Sequence, residues 1–327
     1  MKRCLLMDLG AARTRIVRVG DVTLRNEPSA VMTMTGKPLR VLAVGAEADA
    51  AMERAPDNIC VRRPQAEGRV ADPDLVQEQL AFWQQKYFSP VSLPVLRPSL
   101  VLTVPCGAMD YERKALTDAG LAARFKTVKF VDELAAHAAG LEVGGLADEP
   151  TVVVAVGAAY AQAGVIRNGE VLTQRMIQAK NPRDGAAGNA ITAELRHWIG
   201  TTFGLSVGED QVERLKCGET HQIVGFCSAE GRFKTVEITG EQILQAVRPV
   251  LMRLAELVSG VIDDGVQSVD ESVRDSVRRQ GVFLTGGGAK LKGLADFVQE
   301  AAQIPVGLAA IPEETAIRGL ERLEAWQ

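Results

Sequence analysis

Asp8 and Gly10 stand where an apolar run, Leu5-Leu6-Met7, ends and a second β-rich run begins at Thr14. A strand that ends in an acidic residue and turns through glycine can clasp a phosphate. Successive backbone N–H groups then point into one concavity, and the carboxylate can hold water around a divalent cation. By itself such a turn is structural more often than functional. Two later stretches repeat its logic. Residues 151–156 form an apolar run that turns through Gly157-Ala158-Ala159 into a second run starting at Tyr160. Val282-Phe283-Leu284-Thr285 runs into Gly286-Gly287-Gly288-Ala289 and then a helical pattern, which presents N–H groups at a helix start and lets a planar or phosphate ligand approach closely. Glu213 and Lys216 lie three apart on a predicted helix over 208–216 and share a face.

These residues belong to a chain of ordinary globular composition. Of its 327 residues, 46% are hydrophobic and 24% charged, which excludes a disordered or fibrous class, and the length suggests about two domains. The net charge of -4 gives no long-range attraction to nucleic acid. Five scattered cysteines, an odd number, argue against a disulfide framework and for a reducing cytoplasm. His137, His197 and His221 stand far apart and read as structural or surface residues, with no zinc spacing. No run reaches the roughly 18 apolar residues that span a bilayer, and no signal peptide is expected, so any membrane contact should be peripheral.

The positioning elements read as follows. A third short strand over 22–25 is broken by Asn26-Glu27-Pro28-Ser29, and residues 29–60, with a short helix over 47–54, look like an insertion on a larger sheet domain. Asp72 caps a helix over 73–87, with Pro73 in its first turn and Leu75, Val76, Leu80 and Trp83 at helical spacing. Three prolines, Pro90, Pro94 and Pro98, leave Val91, Leu93, Val95 and Leu96 on an irregular loop. Packing under a neighbouring element is the commoner fate of such residues. Strand 99–104, helix 110–122, strand 127–131 and a helix over 133–140 follow, and the small side chains of the last suit close packing on another backbone. Later elements include a hairpin turn at Arg167-Asn168-Gly169-Glu170, a helix through Trp198, a strand over 233–238 and a long helix over 240–261. Two copies of one βββ plan, about 145 residues apart, predict an internally duplicated α/β protein with a cleft between its halves.

Together these motifs resemble the MreB family of rod-shape-determining bacterial actins, within the wider fold of actin, sugar kinases and heat-shock chaperone ATPases. Asp8-Leu9-Gly10-Ala11-Ala12-Arg13-Thr14 is similar to the first phosphate hairpin. Asn26-Glu27-Pro28-Ser29, Ala43-Val44-Gly45, Arg63-Pro64 and Gly68-Arg69-Val70-Ala71-Asp72 follow in the family's order, then Val104-Pro105-Cys106-Gly107-Ala108 with Arg113. Glu213-Arg214-Leu215-Lys216 resembles the adenosine-side helix and Leu284 to Ala289 the adenosine-binding glycine turn. The insertion at 29–60 favours this branch over the cell-division actin homologue.

The resemblance implies an actin-like duplicated fold of two βββαβα-type domains, 1–147 and 148–327, flanking a nucleotide cleft. Small subdomains are implied at 29–60 and 181–237, with 312–327 returning to the first domain. It implies a cytoskeletal filament at the inner face of the membrane that binds ATP or ADP with Mg²⁺. The nucleotide contacts would be Asp8 (through water to the metal), Gly10, Ala11, Ala12, Arg13, Gly157, Ala158, Ala159, Tyr160, Glu213, Lys216, Gly286, Gly287, Gly288 and Ala289. Glu133 matches the residue that orients the attacking water, and the loop bearing Val91, Leu93, Val95 and Leu96 matches a membrane-inserting loop of some members.

The second hairpin departs from the family pattern. Ala155 replaces an acidic residue, Gly157-Ala158-Ala159 a glycine run, and Tyr160 and Ala161 hydroxyl residues, while Leu134 replaces a proline. Asp8 is left as one of two expected acidic partners of the metal. Alanine in a left-handed conformation costs about 1–2 kcal/mol per residue, and Tyr160 is large enough to fill phosphate space. Arg13 has two roles open to it: contact with the terminal phosphate, or charge partner for Asp8. The expectation is weak or absent ATP hydrolysis by a self-associating filament protein. Two alternatives stay open: a non-polymerising adaptor on a true bacterial actin or membrane complex, and an ATPase or small-molecule kinase of the same fold. Against the latter stand the degraded phosphate contacts and the expectation that no substrate-binding domain follows Gln327.

Overall fold

The computed structural model describes residues 3–36, 39–52, 54–66, 69–88, 93–141, 149–178 and 181–325. The chain forms two units, residues 1–142 with 314–327, and residues 143–313.

In the first unit, β1 (Cys4–Leu9) and β2 (Arg13–Arg18) form the opening hairpin, and β3 (Arg25–Pro28) pairs with β2. The third strand therefore lies over the residues read as a break and not over 22–25. As an edge strand it tolerates Pro28, whose missing N–H removes nothing from an inner ladder. A small three-stranded sheet follows, built from β4 (Val31–Met34), β5 (Arg40–Val44) and β6 (Ile59–Arg62), with the short α1 (Ala46–Ala50) between the last two. After the two-residue strands β7 (Gln65–Ala66) and β8 (Arg69–Val70), α2 (Pro73–Tyr87) opens where expected: the Asp72 carboxylate accepts the Leu75 N–H at 3.1 Å, and Pro73 occupies the first turn. β9 (Ser99–Val104), α3 (Asp110–Ala122), β10 (Thr127–Asp132) and α4 (Glu133–Gly140) complete the run. The central sheet has the order β10-β9-β1-β2-β3, parallel from β10 to β1 and antiparallel from β1 to β3.

The second unit repeats this plan. β11 (Thr151–Val156), β12 (Tyr160–Arg167) and β13 (Glu170–Gln178) are antiparallel, and β17 (Val282–Thr285) and β18 (Val306–Leu308) add in parallel, giving the order β13-β12-β11-β17-β18. Between these lie α5 (Gly188–Phe203), β14 (Leu205–Ser206), α6 (Glu209–Lys216), β15 (Gln222–Cys227), β16 (Arg232–Glu237), α7 (Gly240–Ala246), α8 (Arg248–Ser268) and α9 (Ser272–Gln280). The long helix expected over 240–261 is two helices, because Pro249 lacks an N–H and its ring would clash with a carbonyl one turn back, so it begins α8. α10 (Leu294–Ala302) lies between β17 and β18, and α11 (Thr315–Ala325) belongs to the first unit.

β1 and β11 are buried along their whole length, as central strands flanked on both faces must be. Alternate β1 side chains serve two cores. Leu5 and Met7 join Leu75, Leu80, Trp83 and Leu102, whereas Cys4 and Leu6 join Val17, Ala136, Ile317 and Leu320. The second face depends on the small residues of α4. A Cβ built on Gly140 would lie 1.9 Å from the Thr315 carbonyl oxygen, and one on Gly319 would lie 1.7 Å from the Ala136 carbonyl oxygen. The two helix backbones meet with no room for a methyl group, as the small side chains over 133–140 suggest. Arg322 ties the contact by donating to the carbonyls of Ala139 and Leu141 at 2.8 and 3.1 Å.

Gly319→Ala is therefore expected to force α11 off α4 and to destabilise the chain by at least about 1–3 kcal/mol, the usual range for overpacking. Urea titration followed by circular dichroism reads this directly; a midpoint equal to that of the parent chain would contradict the packing described.

Candidate functional site

Each unit carries a tight turn between its first two strands, and the two turns are built alike. In the first, the Gly10 N–H donates to the Arg13 carbonyl at 3.1 Å; in the second, the Gly157 N–H donates to the Tyr160 carbonyl at 3.0 Å. A Cβ on Gly10 would meet the Arg13 oxygen at 2.7 Å, so that glycine is a requirement of the turn, while Gly157 is less crowded. No alanine of either turn has a positive φ. The expected left-handed strain of Ala158 and Ala159 does not arise, and alanine there is compatible with the turn.

The carbonyls of both turns are tied from one side. The Ser29 hydroxyl donates to the Gly10 carbonyl at 2.6 Å, and the Ser29 N–H donates to the Ala12 carbonyl at 2.9 Å. In the second unit the first amides of α5 do the same work: Gly188 N–H to the Gly157 carbonyl at 2.9 Å, and Asn189 N–H to the Ala158 carbonyl at 2.7 Å. Because a trans peptide points its N–H opposite its carbonyl, these bonds direct the N–H groups of Ala11 and Arg13, and of Ala158 and Ala159, toward the opposite side of each turn. That is the geometry of an anion-binding nest. The turn residues are half-buried except the exposed Arg13; of the residues that tie them, Ser29 and Gly188 are buried and Asn189 is exposed.

Behind the first turn the hydrogen-bond order is fixed by chemistry. Ser29 spends its one hydroxyl proton on the Gly10 carbonyl, so Thr14 donates to Ser29 across 2.8 Å, and the Gln79 amide donates to Thr14 at 3.3 Å. α2 thereby supports the turn through a buried relay.

Asp8 lies two residues before Gly10, on the middle strand. Its carboxylate is buried and each oxygen has a donor: Thr103 donates to Oδ1 at 3.0 Å, and Arg15 donates to Oδ2 at 3.1 Å. Burial pushes the Asp8 pKa up; Arg15 opposes that shift, Glu133 adds to it, and His137 and the Thr103 hydrogen bond oppose it. Arg15, not Arg13, is thus the charge partner of Asp8. Arg13 is exposed, and its guanidinium reaches the Asn26 carbonyl at 3.5 Å. Glu133 begins α4, with Oε1 3.5 Å from His137 Nε2 one turn on. His137 is buried beside Glu133. Asp132 caps α4 by accepting the N–H groups of Leu134 and Ala135 at 2.8 and 3.4 Å, and desolvation raises its pKa. The neighbouring Cys106 thiol is pushed up to about 12 by burial and by the nearby carboxylates of Asp132 and Glu133.

In the second unit, the predicted residues gather around the second turn. Lys216 donates to the Gly188 carbonyl at 3.2 Å, to Thr192 at 2.9 Å and to Glu213 at 2.7 Å, and Thr192 also bonds Glu213. Gly188 is the residue tied to Gly157, so α6 reaches the turn through α5. Gly286, at φ +80°, and Gly288 pack on the strand that leads into the turn. A Cβ on Gly286 would lie 2.5 Å from the Val156 carbonyl oxygen, and one on Gly288 2.5 Å from Val156 Cγ1. Gly287 begins a 3-10 turn that runs through Ala289, which is buried, to Lys290. Ala155 is 2% exposed in an apolar strand. Tyr160 is half-buried at the start of β12. Of the loop residues, Leu93, Val95 and Leu96 lie on or beside a 3-10 turn and are exposed by 60%, 65% and 49%; Val91 lies outside the described residues.

Sequence reasoning did not single out Arg15, Thr103, Ser29, Gly188, Thr192 or the role of His137. Two signals were available: a two-residue turn puts residue 15 opposite residue 8, and His137 is four residues beyond Glu133 on one helix.

A duplicated βββ plan with a turn at each hairpin and parallel strands beyond defines the actin-like fold. A solved structure of MreB5 of Spiroplasma citri bound to ADP superposes with a TM-score of 0.87, at 20% identity, covering 100% of this chain and 97% of that one. The MamK double helical filament gives 0.77 at 18% identity, covering 98% and 99%. The MreB/Mbl protein family model matches residues 2–326, and the chain belongs to that family. Among its relatives, the cell shape-determining protein Mbl of Bacillus cereus is 28% identical over 325 residues, covering 94% of this chain and 91% of that protein. The cell shape-determining protein MreB of Escherichia coli is 27% identical over 331 residues, covering 96% and 91%.

Ser29→Ala should leave the Gly10 carbonyl and the Thr14 hydroxyl short of a partner and destabilise the first unit by roughly 1–3 kcal/mol. Thermal melts of the variant and of Ser29→Thr, which keeps the hydroxyl, would show the alanine variant melting lower; equal melts would mean that the relay does not hold the turn.

Proposed function

We propose that the chain is a filament-forming, actin-like cytoskeletal protein that binds ATP or ADP and hydrolyses ATP weakly or not at all. The observation that carries this reading is the pair of turns whose carbonyls are tied from one side, leaving amides of Ala11, Arg13, Ala158 and Ala159 aimed the other way. Phosphates are the natural partners of such amides. Support also comes from the solved relatives described as bound to ADP or AMPPNP and from the one described as a double helical filament. The Glu213, Lys216, Gly286, Gly287, Gly288 and Ala289 neighbourhood beside the second turn is assigned to the nucleoside. Glu133 is assigned to the attacking water. Hydrolysis is weak in this reading because phosphoryl transfer rests on charge neutralisation, and Ala155 offers no carboxylate while Asp8 is already engaged.

Concentrated protein with ATP or ADP is expected to pellet and to show protofilaments by electron microscopy, with phosphate release below that of a rod-shape actin assayed beside it. A chain that stays monomeric with saturating nucleotide would overturn the filament reading.

The same reading takes the exposed Leu93, Val95 and Leu96 as a peripheral contact with the inner face of the membrane, shallow and multiplied along a filament. Leu93→Ser combined with Val95→Ser should abolish co-sedimentation with vesicles of mixed zwitterionic and anionic lipid while leaving pelleting alone intact; undiminished vesicle binding would remove the loop from that role.

A further inference from the structure

We propose that Arg15 is a resident cation that takes the place of a divalent metal at Asp8, so that the first turn receives a nucleotide's phosphates without Mg²⁺. The second half of this statement rests on the nucleotide reading above; the first half does not.

The fold family implies a hydrated divalent ion near this carboxylate, and the residues present do not fit one. A metal-bound water shell needs carboxylate oxygens free to accept its hydrogen bonds, usually from more than one acidic side chain. Both oxygens of Asp8 already have donors, Thr103 at 3.0 Å and Arg15 at 3.1 Å. The guanidinium is held close: the two side chains are only 12% and 9% exposed, so the pair is largely cut off from competing water. It cannot shed its charge to make way for a metal, because arginine stays protonated at any pH a protein survives.

The duplication supplies a comparison inside one molecule. Asp8 faces Arg15 across the first hairpin, and the corresponding register pair of the second is Ala155 facing Gln162. The parallel neighbours correspond as well, Thr103 beside Asp8 and Thr285 beside Ala155. The threonine is kept in both units, and its hydroxyl donates to Asp8 in the first and to the Val154 carbonyl in the second. The acid and the base are present together in one unit and absent together in the other. That pattern is expected if they serve each other, since a buried arginine without its carboxylate, or the reverse, would be a costly lone charge.

The test uses the full chain and two titrations. In the first, ADP and ATP are titrated calorimetrically into parent protein and into Arg15→Gln, which copies the residue found at the matching place in the second unit, in excess EDTA and again in Mg²⁺. The parent is expected to bind equally in both buffers, within about threefold, and Arg15→Gln to bind at least about tenfold more weakly in EDTA than in Mg²⁺. A parent that gains tenfold or more from Mg²⁺ overturns the inference and leaves the nucleotide reading standing. In the second, Mn²⁺ alone is titrated without nucleotide and followed by electron paramagnetic resonance. Arg15→Gln is expected to acquire a Mn²⁺ site that the parent lacks and that Asp8→Ala combined with Arg15→Gln loses again. A parent with an Asp8-dependent Mn²⁺ site, or Arg15→Gln that gains none, overturns the inference even if no nucleotide binds in either buffer, an outcome that would separately sink the nucleotide reading. The double variant rebuilds the pairing the second unit already folds with, so if Arg15→Gln folds poorly the parent still decides: a Mn²⁺ site that the parent has and the double variant lacks, or a tenfold gain from Mg²⁺ in the parent, overturns the inference.

Discussion

A charged carboxylate on the middle strand of a five-stranded sheet is costly to bury without a partner, and in this chain Arg15 faces Asp8. Much else is arranged around that pair. Thr103 from the next strand fills the second oxygen, Glu133 and His137 from α4 bear on its charge, and the turn that begins two residues later inherits a rigid platform. Breaking such a pair by removing one member costs several kcal/mol because it strands a charge, whereas replacing both by neutral residues is far cheaper. The second hairpin embodies the cheaper solution, with Ala155 and Gln162 at the same register positions.

The two turns reach one backbone arrangement by different means. Ser29, just past the edge strand β3, restrains the first through its side chain and its amide; the opening amides of α5 restrain the second. Alanine in place of glycine is harmless in the second turn because none of its residues takes a positive φ. The amide geometry therefore survives where side-chain chemistry has drifted.

Most of the scaffold was legible in the sequence because it follows local rules: Asp72 and Pro73 announce α2, small residues announce the close packing of α4, and the repeated apolar-run-and-glycine pattern announces the duplicated sheet. The failures have physical causes. β3 is an edge strand, so a sequence full of turn formers could still pair. The break between α7 and α8 follows from Pro249 alone, overlooked within an otherwise continuous apolar stripe. At the site, motif matching finds residues that point along the chain, such as Asp8 and Gly286. It misses those that matter through a partner strand or helix turn, such as Arg15, Thr103 and His137. Of the two roles open to Arg13, partnership with Asp8 is excluded by register: Arg15 faces Asp8 across the ladder, and Arg13 reaches the Asn26 carbonyl instead.

α11 packs on α4 through backbone contacts that admit no methyl group, although about 170 residues of the second unit separate them in the chain. During synthesis the residues of the second unit are all made before the helix that covers Cys4, Leu6 and Ala136. The nascent first unit must wait with that apolar face open, a stage at which chaperones have a surface to hold and at which premature association is most dangerous.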